Sequence, residues 1–455
     1  MLYQMTRELI RLAAHVFFRR IELVGLEHIP MSNAAIFYGN HPNSLLDPGL
    51  ITAFGERKLH FAAKDTLFSQ PLTCGLFRRL GAVPIKRRKD HPDGPLDNQE
   101  AFSALYKILE EGKAMGIFPE GISHNGVQLA ELKTGAARIA LEMHRRGVKV
   151  LLVPCGLNYL KRGRFRSTVL IQFGEPISVH KWLNAHAPTT PHPDARALTD
   201  HMELHLRALT INAESWEDLA LLDTVRRLYQ PPRITIEERA ELARRFNAHY
   251  PALRNMPDII SLSNSVSAYR QDLYSLGLRD RDLNASLNTS ALVFRLLRHL
   301  TLVLVWLPLA LLGAPLHMPL ALFLNWSSRL IAPRKNVIAT THFLVGVFTL
   351  LATYLGLGVL TWSLGAGWYA SLVPILIALS GWGTLKVAER GHSLWRTLWV
   401  WTRCLRARAT IRDLRSRRRT LHAEVLTVVN AHLPKGMERL FYQEQSIIDT
   451  PSGDE

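Results

Sequence analysis

Short, almost unbroken apolar runs recur through the first 180 residues, at 34–38, 59–63, 82–85, 113–118, 149–153 and 168–173. Runs of this length between turn signals predict buried strands. The segments between them place apolar residues at helical spacing, from 51 onward, over 100–111 and in a helix opening at 132–137. This alternation predicts an α/β domain. From 181 to 290 the pattern turns helical and polar, with helix starts expected near Pro193 and Thr235 and breaks at 230–232 and Pro251. Further on, thirty residues between Arg298 and Arg329 and fifty between Lys335 and Lys386 contain no Asp, Glu, Lys or Arg. Runs of that length predict membrane segments. The second breaks at 363–367 into two limbs of about twenty residues, a full hairpin. The first reads as broken at 313–319, where Gly313, Pro315 and Pro319 leave limbs of about 15 residues, roughly 22 Å each and short of a ~30 Å apolar core, so a re-entrant or tilted hairpin is expected.

The N-terminal stretch interleaves Leu2, Met5, Leu9, Leu12, Val16 and Phe17 with Arg7, Arg11, Arg19 and Arg20. It fits an interfacial helix whose arginines meet headgroups, or an ordinary amphipathic helix with a solvated basic face. It lacks the apolar core and small-residue cleavage site of a secretory signal. The expected organisation is an amphipathic helix (1–29), a catalytic domain (30–180), a helical extension (181–290), membrane-embedded hairpins (291–386), and a basic amphipathic region with a disordered tail (387–455).

Charge narrows the partners. An excess of 55 Lys and Arg over 38 Asp and Glu favours anionic ones. Arg390, Arg396, Arg403, Arg406, Arg408, Arg412, Arg415 and 417–419, with Trp395, Trp399 and Trp401 among them, suit an anionic leaflet; nearby membrane segments make lipid a simpler partner than nucleic acid. Three scattered cysteines, Cys74, Cys155 and Cys404, indicate neither a disulfide framework nor a cysteine zinc site. The turns of both apolar runs lack cations, whereas Arg295, Arg298, Arg329, Arg334, Lys335, Lys386 and Arg390 flank them. Paired limbs would put every basic flank, and with them the catalytic domain, on the cytoplasmic side.

Candidate chemistry sits in Gly39-Asn40-His41-Pro42-Asn43-Ser44-Leu45-Leu46-Asp47-Pro48. The prolines oppose one continuous helix, so His41 and Asp47 would meet across a turn, the carboxylate holding one ring nitrogen while the other takes a proton from a substrate hydroxyl. Asp47-Pro48 also reads as an N-cap followed by proline at the first helical position. Beyond it, Lys86-Arg87-Arg88-Lys89 could grip a phosphate or be a solvated charge run. Pro119-Glu120-Gly121 could offer a carboxylate to a polyol or be a surface turn. His124 is a rival base, and the 132–137 segment puts Lys133 near helix amides able to hold an anion.

Four blocks occur in order: the His41 segment, Gly81-Ala82-Val83-Pro84-Ile85-Lys86-Arg87, Phe118-Pro119-Glu120-Gly121-Ile122-Ser123 and Val153-Pro154-Cys155-Gly156. Together they resemble the glycerolipid acyltransferase superfamily, which includes glycerol-3-phosphate and lysophosphatidic acid acyltransferases. That family's first block usually has four residues between histidine and aspartate; here Pro42 to Leu46 make five, as in the fungal glycerol-3-phosphate/dihydroxyacetone-phosphate branch. Residues 208–216 and 225–229 also look like that branch. The resemblance implies a mixed sheet flanked by helices, then a helical segment and C-terminal membrane helices. It implies His41 as general base, Asp47 as its orienting partner, Arg87 as phosphate ligand, Glu120, Gly121, Ser123 and Lys133 at the acceptor, and Pro154 beside the acyl chain. The partners implied are an acyl thioester, on coenzyme A or acyl carrier protein, a glycerol-phosphate-type acceptor and membrane lipids, with no metal or redox cofactor and no nucleic acid. An acceptor already bearing one acyl chain is the alternative within the class, and a non-catalytic lipid-binding scaffold the alternative outside it.

Overall fold

The computed structural model describes residues 2–69, 71–87, 90–91, 97–186, 195–284, 289–332 and 334–441. Arg88, Lys89, Pro193 and the expected tail at 449–455 lie outside them. The chain divides into two compact units, the first comprising 1–214, 235–244 and 331–343, the second 215–234, 245–330 and 344–455.

In the first unit, helix α1 (Leu2–Phe17) leads into strands β1 (Phe18–Val24) and β2 (Ala34–Gly39). There follow α2 (Leu46–Phe54), β3 (Leu59–Lys64), α3 (Pro71–Arg79), β4 (Val83–Ile85), α4 (Gln99–Glu110), β5 (Ala114–Ile117), α5 (Gly135–Arg145), β6 (Val150–Tyr159), β7 (Ser167–Phe173), β8 (Ile177–Ser178), α6 (Val179–His186) and α7 (Ala195–Arg207). The strands form one mixed sheet in the order β1-β7-β6-β2-β5-β3-β4, with β8 beside the start of β6. Among the described residues, only the pairings of β6 with β7 and β8 are antiparallel. Every residue of β2 is buried, because the strand is central and covered on both faces. Ile36, Tyr38, Met115 and Leu152 pack beneath Leu105 and Leu109 of α4, Ile139 of α5, and Leu198 and Met202 of α7.

Two local expectations change. β1 emerges from the stretch assigned to the N-terminal helix, and β6 runs through Pro154 to Tyr159 instead of ending near 153. β1 is an edge strand whose charged outer positions hide its apolar alternation. Arg7 and Arg11 do not reach outward: both donate to the Ala53 carbonyl at the end of α2 (3.4 and 2.8 Å), where a cation complements the exposed C-terminal carbonyls. Leu2, Met5, Leu9 and Leu12 remain exposed along α1.

The second unit contains α8 (Trp216–Tyr229), the second half of α9 (Ile236–Leu253), α10 (Pro257–Ser275), α11 (Asp280–Asn284), α12 (Thr289–Ile331, ending at the unit's edge), most of α13 (Ile338–Thr361), α14 (Val373–Arg406) and α15 (Arg408–Ala431). Three arginines expected to face lipid are paired internally instead: Arg396 with Asp282 (2.6 Å), Arg417 with Asp272 (2.5 Å) and Arg418 with Asp280 (2.8 Å).

By length and composition, 292–331 and 335–406 are long and apolar enough to cross a membrane. The second stretch breaks as expected, with Gly365 in the left-handed region (φ 87°) between α13 and α14. The first does not break: α12 is one 43-residue helix running through Pro308, Pro315 and Pro319, so the hairpin expected at 313–319 is overturned. Gly313 serves packing, since a Cβ there would lie 2.4 Å from the Ser380 carbonyl of α14. Small residues allow such close helix approach, and proline is tolerated in apolar helices whose neighbours re-satisfy the backbone. The paired-limb account of the first run falls with the hairpin.

Candidate active site

Three loops holding the expected residues leave the same edge of the sheet. His41 follows β2, Arg87 follows β4 and Glu120 follows β5, each at the C-terminal end of a parallel strand, where open α/β sheets hold their sites. Just past β2, the Asn40 side chain prolongs the ladder, donating to the Leu157 carbonyl (3.0 Å) and accepting from its N–H (2.8 Å). Ser44, with φ at 50°, then turns the chain so that α2 opens at Leu46.

Asp47 is therefore already inside the helix and makes no cap bond; the N-cap reading gives way to the dyad. Its fully buried carboxylate accepts His41 Nδ1–H at 2.9 Å and the Asn43 N–H at 2.7 Å on Oδ2, and the Tyr159 hydroxyl at 2.6 Å on Oδ1. A buried carboxylate is tolerable only with donors of this kind. The His41 ring stacks on Phe118, centroids 4.1 Å apart. Holding Nδ1–H on a carboxylate sets the tautomer that leaves Nε2 basic.

Tyr159 was not legible as a site residue, because β6 was expected to stop short of it. Burial, then the Asp47 carboxylate, push its hydroxyl well above the ordinary range, so it stays a donor. A hydrogen bond to a charged group contributes about 1.5–3 kcal/mol. Tyr159→Phe is accordingly expected to lower kcat about tenfold while leaving the acceptor KM within roughly twofold. Unchanged steady-state kinetics would show that the two remaining donors suffice.

Glu120 is buried and turned toward the protein. Oε1 accepts the His41 N–H at 2.7 Å, and Oε2 accepts the Ala130 N–H at 2.8 Å and His124 Nε2–H. Instead of reaching out to a polyol, this carboxylate fixes the backbone of the base. His124 Nδ1 accepts the Gly126 N–H (3.0 Å), so both ring nitrogens are engaged and the rival base is occupied. Cys155 is likewise inert: burial drives its thiol pKa upward, keeping it neutral at the sheet centre.

Arg87 and Lys133 converge on Gly121. Arg87 Nη1 donates to the Gly121 carbonyl (3.1 Å) while its Nε donates to Asp90 (2.7 Å). Lys133 lies across the glycine, its Nζ 2.7 Å from where a Cβ would stand, and Gly121 needs its left-handed φ of 69°. Two cations thus flank a side-chain-free turn, Arg87 being paired with Asp90. Ser123 is held by Asn336, which donates to its hydroxyl (2.8 Å) and carbonyl (3.0 Å). Pro154 is buried in β6 opposite Tyr38.

A cleft beside the dyad is lined by His41, Glu120, His124, Arg162, Thr210 and Asn212, among others. Arg162 sits in the β6–β7 connection and donates to the Gly126 carbonyl at 2.7 Å; burial lowers its pKa, and Asp47, Tyr159 and Glu120 oppose that shift. In sequence it was one member of a basic run. Thr210 and Asn212 belong to the 208–216 segment already associated with the fungal branch.

Residues 20–158 match the acyltransferase family, and residues 221–437 match the glycerol-3-phosphate acyltransferase 2 C-terminal domain. The chain thus carries an acyltransferase-family segment followed by one similar to the C-terminal domain of glycerol-3-phosphate acyltransferase 2. Among its relatives are two Saccharomyces cerevisiae proteins. It is 31% identical to glycerol-3-phosphate O-acyltransferase 2 over 49% of this chain and 31% of that one. It is 33% identical to glycerol-3-phosphate O-acyltransferase 1 over 41% of this chain and 25% of that one. The matched region thus spans about a third or less of either relative. Together with the C-terminal domain they support the fungal-type branch. The crystal structure of a 1-acyl-sn-glycerophosphate (LPA) acyltransferase from Thermotoga maritima aligns over 46% of this chain and 78% of that one, at 22% identity and a TM-score of 0.34.

Proposed function

We propose that the chain transfers a fatty acyl group from an acyl thioester to a hydroxyl of glycerol 3-phosphate or dihydroxyacetone phosphate. The His41 Nδ1 to Asp47 contact of 2.9 Å carries this reading. His41 Nε2 takes the acceptor's hydroxyl proton as its oxygen attacks the thioester carbonyl. The tetrahedral intermediate expels the thiolate, and the imidazolium, steadied by Asp47, returns the proton to it. Direct transfer needs no enzyme nucleophile, in keeping with a buried, neutral Cys155. In this reading Arg87 and Lys133 hold the acceptor phosphate, Glu120 positions His41, and Pro154 borders the acyl chain. The apolar helices would keep the site at a membrane, where a lipid product can leave into the bilayer.

The test is an acyl-transfer assay on the purified full chain, with glycerol 3-phosphate and lysophosphatidate as acceptors, each with acyl-coenzyme A and acyl carrier protein donors. Transfer to glycerol 3-phosphate supports the proposal. Transfer to lysophosphatidate alone replaces the acceptor, and no transfer under any condition returns the scaffold alternative.

Arg87→Ala is expected to raise the acceptor KM roughly 10- to 100-fold, the worth of charge-assisted hydrogen bonds to a phosphate, with the donor KM almost unmoved. A rise confined to the donor KM would reassign Arg87 to the donor's phosphates.

A further inference from the structure

The segment joining the two apolar stretches, 331–343, folds as part of the first unit. Thr340, in the first turn of α13, is 3% exposed. Its Oγ1 accepts the Leu46 N–H at 3.2 Å and donates to the Asn43 carbonyl. It therefore closes the turn that joins His41 to Asp47, the same turn in which Ser44 adopts a left-handed φ and the Asn43 N–H holds Asp47. Four residues earlier, Asn336 is 5% exposed and anchors Ser123, three residues beyond Glu120. The His342 ring stacks on Phe165, centroids 5.8 Å apart, and meets Phe17 edge-on. The segment thus touches the loops after β2 and β5 and the β6–β7 connection that holds Arg162.

Buried polar side chains persist where their hydrogen bonds are met, and these two spend theirs on the loops bearing His41 and Glu120. We infer that 331–343 is a third wall of the acyl-transfer site, with Thr340 and Asn336 positioning residues that set the spacing of the His41–Asp47 and Glu120–Ser123 loops. Because Thr340 lies on α13, shifting that helix by one residue would turn the hydroxyl about 100° away from the dyad turn. Seating of the apolar helix and alignment of the base are thereby coupled. The catalytic consequence rests on the function proposed above; the contacts do not.

The experiment uses the full chain and the variants Thr340→Val, Thr340→Ser and Asn336→Ala. It measures kcat, both KM values, the thermal midpoint, and the pH dependence of His41 carbethoxylation by diethyl pyrocarbonate, read by peptide mass spectrometry. Thr340→Val should lower kcat about 10- to 30-fold with both KM values within twofold, and Asn336→Ala about fivefold, within the reach of small misplacements of catalytic groups. Thr340→Ser, which keeps the hydroxyl, should stay within about threefold of the parent. The His41 profile should move in Thr340→Val and return in Thr340→Ser. Parental kcat and an unmoved profile in both Thr340→Val and Asn336→Ala overturn the inference, as does equal loss in the serine and valine variants. If Thr340→Val does not fold, Asn336→Ala and Thr340→Ser decide by the same readouts. If the parent transfers no acyl group, the functional reading fails, while the His41 profile still decides the positioning claim.

Discussion

Replacing His41 by alanine is expected to lower turnover about a thousandfold, the middle of the range for a general base. The protein should remain folded and bound to membranes. The ring contributes a stacking contact with Phe118 and one of the three hydrogen bonds to Asp47, whose Asn43 and Tyr159 donors remain, and His41's two backbone bonds, to Glu120 and from His124, survive the change. Circular dichroism and membrane sedimentation check the fold, and single-turnover transfer with a saturating thioester checks the chemistry. A loss below about tenfold would remove His41 from the role of base. It would also restore the scaffold alternative, for which this substitution is silent.

Asp47→Asn should cost roughly 100- to 1000-fold in kcat, close to the loss of the base itself. The amide fits the site, its oxygen standing where Oδ2 receives His41 and Asn43 and its NH2 turned to the Tyr159 hydroxyl oxygen, so the fold should hold. What disappears is the negative charge opposite the imidazolium formed during attack, and no neighbouring acid touches that ring nitrogen among the described residues. A helix cap would have tolerated the change, because asparagine caps as well as aspartate. Near-parental kcat in Asp47→Asn would mean that position and not charge is what Asp47 supplies.

Most of the sheet is legible because central strands are buried on both faces and are written as short apolar runs: β2, β3, β5 and β7 stand where the pattern puts them. β1 escaped because edge position lets charged residues interrupt its alternation. The helical starts follow local chemistry in the same way. Thr235 and Glu238 bond each other's backbone N–H across the opening of α9 (3.0 and 2.7 Å), a reciprocal capping box.

By itself, the order of residues determined the elements, the membrane-length apolar stretches and the types of chemical group available: an imidazole and a carboxylate six apart, a cation after β4, a carboxylate and a glycine after β5. These depend on spacing, period and turn chemistry, which act over a few residues. Only the tertiary structure decided what each group does. Asp47 accepts the Tyr159 hydroxyl from 112 residues away, and the Leu46 N–H donates to the Thr340 hydroxyl oxygen 294 residues away, because the length of β6 and the start of α13 bring those hydroxyls to one turn. Glu120 became a brace for His41 once the β5 loop was laid against the β2 loop. Gly313 became a contact and not a turn once α14 lay against α12. A buried polar side chain or a glycine has the same local signature in each role, and the partner it meets depends on where distant strands and helices end.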